Sequence, residues 1–87
     1  MYAATAEFLG TFLLIAVIAF IGNPYAIGAA LTAGILLVGS VSGGHFNPAV
    51  SIWAFLSGKI TGNTLCMYAA AQSAAAAAVF VLRRLML

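Results

Sequence analysis

Three apolar runs, residues 1–21, 25–42 and 64–82, contain a single charged side chain between them, Glu7. A helix needs about 20 apolar residues, at about 1.5 Å each, to cross a hydrocarbon core of about 30 Å. Each run is close to that length. The whole chain of 87 residues has three basic side chains and one acidic one, 5% charged, against about 25% in a soluble domain. So few charges cannot clothe a globule, which excludes a soluble monomer, a disordered tail and a nucleic-acid binder. One cysteine, Cys66, excludes a disulfide scaffold. The expected setting is a lipid bilayer, as a multi-pass integral membrane protein. The first run lacks the basic start and small-residue cleavage site of a signal peptide, so it reads as a retained span.

A fourth apolar run, residues 47–57, is too short to cross. Its ends are well marked. Asn47 is a preferred N-cap and Pro48 suits the first helical position, where no N–H is needed. Gly58 suits the helix exit, and Lys59 places a cation at the negative end. Ten helical residues cover about 15 Å, half a membrane. The segment therefore reads as a re-entrant half-helix, preceded by irregular backbone through Gly43 and Gly44. Such backbone is tolerated at membrane depth only when buried in protein or lining a wet cavity. The expected fold is an all-α membrane protein, residues 1–87 forming one unit of three transmembrane helices plus one half-helix.

Threading this topology puts Lys59 and the terminal amine on one face and Arg83 and Arg84 on the other. Orientation follows Lys/Arg asymmetry, and here the asymmetry is close to nil. Insertion both ways up is the expectation, with the alternative that two arginines outweigh one lysine. Two inverted copies would pair about an axis in the membrane plane, an isologous homodimer. Their half-helices would enter from opposite faces and meet at the midplane, as in inverted-repeat transporters.

Gly43-Gly44-His45-Phe46-Asn47-Pro48-Ala49-Val50 resembles the first Asn-Pro-Ala loop of the aquaporin (major intrinsic protein) family. Ala6-Glu7-Phe8-Leu9-Gly10-Thr11 resembles the start of its first helix, and Tyr68-Ala69-Ala70-Ala71-Gln72 its third. The resemblance runs through the chain in the family's order. Family members are normally twice this length, with two inverted halves and one Asn-Pro-Ala in each; this sequence resembles the first half only. The resemblance implies a passive channel for water and small neutral solutes (glycerol, urea, ammonia), built by two antiparallel copies with six helices and two half-helices around one pore. Tetrameric family members imply four pores, hence an octamer.

Physics gives the centre its roles. Two facing helix N-termini present free N–H groups and about half a positive charge each, a barrier to cations and hydronium. Asn47, as cap, holds its oxygen on the N–H of Ala49 or Val50 and leaves its NH₂ as an outward donor. Asn47, Pro48 and Ala49 form the expected pore centre. The carbonyls of Gly43, Gly44, His45 and Phe46 are the expected acceptor ladder. The resemblance implies that Glu7 and Gln72 brace the loop, and that the constriction falls on Ile27, Ile35, Gly44 and Val50. Val50 stands where the family's second half has an arginine, so the constriction is expected to be wider and less polar than in a strict water channel. The family's usual Gly-Ala pair after the glutamine is matched by Ala75-Ala76.

Other residues keep simpler readings. Ala69–Ala71 and Ala74–Ala78 offer a surface for close helix contact. Cys66 is expected to be a small apolar filler. Trp53 and Tyr25 are interfacial anchors or packing. Two rival functions stand: a dual-topology, proton-coupled small multidrug carrier using Glu7, an ionisable group costly inside a span, and a non-conducting half that pairs with another subunit. No paired carboxylates, nucleophile with base, phosphate loop or metal-ligand cluster points to an enzyme, metal or cofactor.

Overall fold

The computed structural model describes residues 2–87; Met1, where the first expected span begins, lies outside them. Four helices follow in order: α1 (Tyr2–Phe20), α2 (Pro24–Ser42), α3 (Pro48–Leu56) and α4 (Gly62–Met86). α1, α2 and α4 are each long and apolar enough to cross a membrane, and α3 with 9 residues is not. The long dimension is 41 Å, enough for a bilayer core of about 30 Å.

The boundaries follow local chemistry. α1 ends where Gly22 takes a left-handed φ of 72°, its N–H donating to the Val17 carbonyl. Asn23 caps α2, accepting from the N–H groups of Tyr25 and Ala26, with Pro24 first in the helix. α3 closes with Gly58 at φ 75°. There the N–H of Gly58 donates to Phe55 and that of Lys59 to Ala54, the paired bonds of a Schellman ending. α4 is longer than residues 64–82. The Thr61 hydroxyl accepts from the Thr64 N–H and starts the helix two residues early. Arg83 and Arg84 continue it, since long cationic side chains can stay helical while reaching the interface.

α1 is the hub, packed against both α2 and α4, while α3 packs on α4. The buried residues of α1, Ala6, Glu7, Gly10 and Thr11, recur at helical spacing. So do Tyr68, Gln72, Ala75 and Val79 of α4. The seam between these stripes is small and polar rather than large and greasy, which lets the helices approach closely. Cys66, expected as a small apolar filler, is exposed and lies off the α4 stripe, so it fills no gap within the chain. Tyr25 and Trp53 are also exposed, at 87% and 58%, so neither packs inside the chain. Lys59 stands 5.6 Å over the Trp53 ring.

Candidate functional site

The site is built around a carboxylate with 0% exposure, Glu7. Its Oε2 accepts from the Ser42 hydroxyl at 2.7 Å and the His45 N–H at 2.9 Å. Its Oε1 accepts from the Phe46 N–H at 2.7 Å and the Gln72 amide at 2.9 Å. One α1 side chain thus holds the end of α2, the loop and α4 together. Consecutive N–H groups converge on an anion when glycine-like φ values curl the backbone. Here Gly43, Gly44 and Phe46 have φ of 93°, 65° and 56°.

The left-handed Phe46 is unusual for a residue with a bulky side chain. Two glycines hold it. A Cβ added at Gly10 on α1 would run into the Phe46 ring, and one at Gly34 on α2 would lie 2.9 Å from its Cε2. The ring is 3% exposed and keys the loop into the α1–α2 seam. Sequence reasoning did not find this lock, because residues 10, 34 and 46 share no periodic pattern.

A second ring of contacts steadies the first. Gln72 Nε2 also donates to Ser51 Oγ at 3.0 Å, which ties α4 to α3. Ser51 Oγ lies 2.8 Å from His45 Nδ1, and the His45 ring meets Tyr68 edge-on with centroids 5.1 Å apart. The Tyr68 hydroxyl donates to the Ser42 carbonyl at 2.7 Å. Ser42 Oγ in turn accepts from the Gly44 N–H. Ser42 and Ser51 were given no role from sequence, and Tyr68 appeared there only within the third-helix resemblance. A hydroxyl in a span carries no directional signal until its neighbours are known.

The other side of the loop is open. Asn47 is extended and accepts from the Ala49 N–H at 2.8 Å, which selects Ala49 over Val50 as the capped group. Asn47, Pro48, Ala49 and Val50 are all exposed. Among the described residues, no donor reaches the carbonyls of Gly43, Gly44, His45 or Phe46, and the Asn47 amide NH₂ has no acceptor. Beside Asn47 and Pro48 runs a groove of about 360 Å³, with Thr11, Leu14, Ile18 and Gln72 in its walls. Thr11 Oγ1 and Gln72 Oε1 are buried there without hydrogen-bond partners among the described residues. The Gln72 amide cannot flip to cure this, because its Nε2 faces the Glu7 carboxylate.

The major intrinsic protein family model matches residues 1–87. The chain is 38% identical to the aquaglyceroporin AqpS of Rhizobium meliloti over 97 aligned positions, covering 93% of this chain and 42% of that protein. It is 39% identical to aquaporin NIP1-4 of Oryza sativa, covering 93% of this chain and 34% of that one. Against aquaporin Z of Brucella melitensis the identity is 36%, covering 90% and 42%. The chain belongs to the major intrinsic protein family. It spans less than half the length of these curated relatives. No solved structure gives a significant match.

As a major intrinsic protein it is an integral membrane protein, and the expected constriction can be located on it. Ile35 and Gly44 are neighbours: a Cβ on Gly44 would sit 3.1 Å from Ile35 Cγ1. Val50 is the third residue of α3 and is exposed. Ile27 is eight residues before Ile35 on α2, about 12 Å along the axis. A single chain does not bring Ile27 to the Ile35–Gly44 pair.

Proposed function

We propose that this chain is half of a passive channel for water and small neutral solutes (glycerol, urea and ammonia), completed by an inverted second copy. The observation that carries this reading is the exposed, capped N-terminus of α3. Nine residues cover about 14 Å, so a half-helix entering from one face ends near the midplane of a core of about 30 Å. There the free N–H groups and helix dipole repel cations and hydronium. The spare Asn47 NH₂ is a donor for a passing oxygen. A water held by two such donors, one per copy, has both hydrogens turned outward, which breaks a proton wire. The free carbonyls of residues 43–46 supply acceptors on the approach.

Several facts support a second half. The groove beside Asn47 and Pro48 has two buried polar atoms unmatched within the chain. Ile27 and the Ile35–Gly44 pair lie at different depths, so a four-residue constriction needs Ile27 from one copy and Ile35, Gly44 and Val50 from the other. Such a ring is aliphatic and has no side-chain donor, which suits small neutral solutes as well as water. The relatives' names, aquaporin and aquaglyceroporin, support that solute class. Four pairs, an octamer, extend the same reading. A carrier that exchanges protons on Glu7 has less support, because both carboxylate oxygens already take two donors each in a closed site.

Reconstituted vesicles under an osmotic gradient test the channel. Protein-containing vesicles are expected to shrink faster than empty ones with no added proton conductance. Folded protein that gives no water flux overturns it. Pairing with a second copy is tested separately by Pro48→Cys in a Cys66→Ser background. Oxidation should give a covalent dimer, and flux without a cross-link would remove the identical partner while leaving the channel.

A further inference from the structure

A second groove, of about 240 Å³, runs between α1 and α4 below the site and shares Ile15 and Ala76 with the first. Its floor and walls are Ile15, Ala19, Ala76, Val79 and Phe80, and its mouth is Arg83 and Arg84. The mouth is ordered by its own contacts. Arg83 Nε donates to the Ala19 carbonyl at 3.1 Å, one of the last carbonyls of α1, which have no helical partner. That uses one of five guanidinium donors. Arg84 lies 5.8 Å over the Phe80 ring. Both arginines are exposed.

The two cations have no acidic side chain near them. The single acidic side chain, Glu7, is buried and already takes four donors. It also lies twelve residues before Ala19 on α1, about 18 Å away along the axis. The depth of the arginines names the source of the missing charge. From the start of α4 at Gly62 to Arg83 the helix rises about 32 Å, close to the full hydrocarbon thickness. The guanidinium groups therefore sit at the headgroup level of the face opposite Lys59, with an apolar groove leading from them into the bilayer.

We infer that this groove is a binding site for an anionic phospholipid. The phosphate takes the free donors of Arg83 and Arg84, and one acyl chain lies along Ala19, Val79 and Phe80. An arginine fork suits a phosphate in two-point contact, and the Ala19 carbonyl fixes where one fork stands. The inference needs only that the chain spans a membrane, so it survives if the chain does not conduct.

The test is native mass spectrometry of the full chain in detergent, titrated with phosphatidylglycerol or phosphatidylcholine. The first phosphatidylglycerol should bind about 25-fold more tightly, about fivefold for each arginine near the headgroup. Arg84→Gln should lower that preference about fivefold, and Arg83→Gln with Arg84→Gln should abolish it. Lys59→Gln, on the other face, should leave it unchanged. Ala19→Leu keeps both charges but fills the groove at a wall the first groove does not share, and should weaken both lipids. Equal binding of the two lipids by the unaltered chain overturns the site. So does displacement of phosphatidylglycerol by millimolar inorganic phosphate. A change in oligomeric state on Ala19→Leu, with lipid preference intact, also overturns it and assigns the groove to a second copy. Arg84→Gln carries the test if the double variant fails to fold, because Arg84 makes no backbone bond.

Discussion

On the inner side of the 43–47 loop, the N–H groups of His45 and Phe46 and the Ser42 hydroxyl all end on Glu7. On the outer side, four carbonyls and the Asn47 amide meet no partner among the described residues, and Thr11 Oγ1 and Gln72 Oε1 are buried unmatched nearby. The same short backbone is closed on one side and open on the other. An unmatched buried polar group costs about 1–3 kcal/mol in proteins, and a hydrocarbon core has no water to relieve it. The closed side therefore sets the shape. The open side is where something from outside the chain must supply hydrogen bonds, whether a solute or a second half.

The largest effect should come from breaking the closed side. Glu7→Gln keeps the size but turns an NH₂ toward groups that are themselves donors. Two of its four charge-assisted bonds lose an acceptor, at about 1.5–3 kcal/mol each. The expected loss is about 3–5 kcal/mol, the scale seen when one member of a buried charged cluster is removed. Denaturant unfolding in micelles measures it. An unfolding midpoint unchanged by Glu7→Gln would mean that the carboxylate does not hold the loop.

Next in size is the Phe46 lock. Gly10→Ala puts a methyl into the ring and should cost about 1–3 kcal/mol, the usual range for overpacking. Gly34→Ala also requires the ring to shift, but meets it less deeply, at 2.9 Å, and should cost less. Combining Gly10→Ala with Phe46→Leu should recover part of the loss. Additive losses in the same unfolding assay would show that the ring and the glycine are not coupled.

On the open side, stability and function should separate. Asn47→Ser keeps a capping oxygen for the Ala49 N–H but has no NH₂ to offer. Its stability should change by less than about 0.5 kcal/mol, because serine and asparagine cap about equally well. Proton leak through reconstituted vesicles should rise. Asn47→Ala, which also removes the cap, should cost about 1 kcal/mol and leak as much. If Asn47→Ser destabilises as much as Glu7→Gln, the two sides of the loop are not distinct.

The same contrast explains what could be read from the chain. Spans, half-helix and its cap were legible because apolar run length and Asn-Pro, Gly-Lys signals are local. Glu7 stood out because ionisable groups inside apolar runs are rare, and Gln72 through the family resemblance. The Phe46 lock was hidden, since its three residues come from three separate elements. The extent of α4 was missed because Thr61, an unremarkable loop threonine, begins it. The relation of Ile27 to Ile35 needed only helical rise, but what it means needed the loop placed beside Ile35.

A last substitution bears most directly on the open side. Thr11→Val removes the unmatched Oγ1 and keeps the shape. If nothing ever meets that hydroxyl, the variant should be more stable by about 1 kcal/mol, the low end of the cost of an unpaired buried hydroxyl. If an inverted copy supplies its partner, the gain should appear only in dilute, dissociated protein. In the assembled state the sign should reverse, with a loss of similar size and a weaker association. Unfolding followed against protein concentration separates the two. A gain at every concentration would leave the groove beside Asn47 without a partner from a second copy. A sign that crosses with concentration would place Thr11 in the interface between the halves.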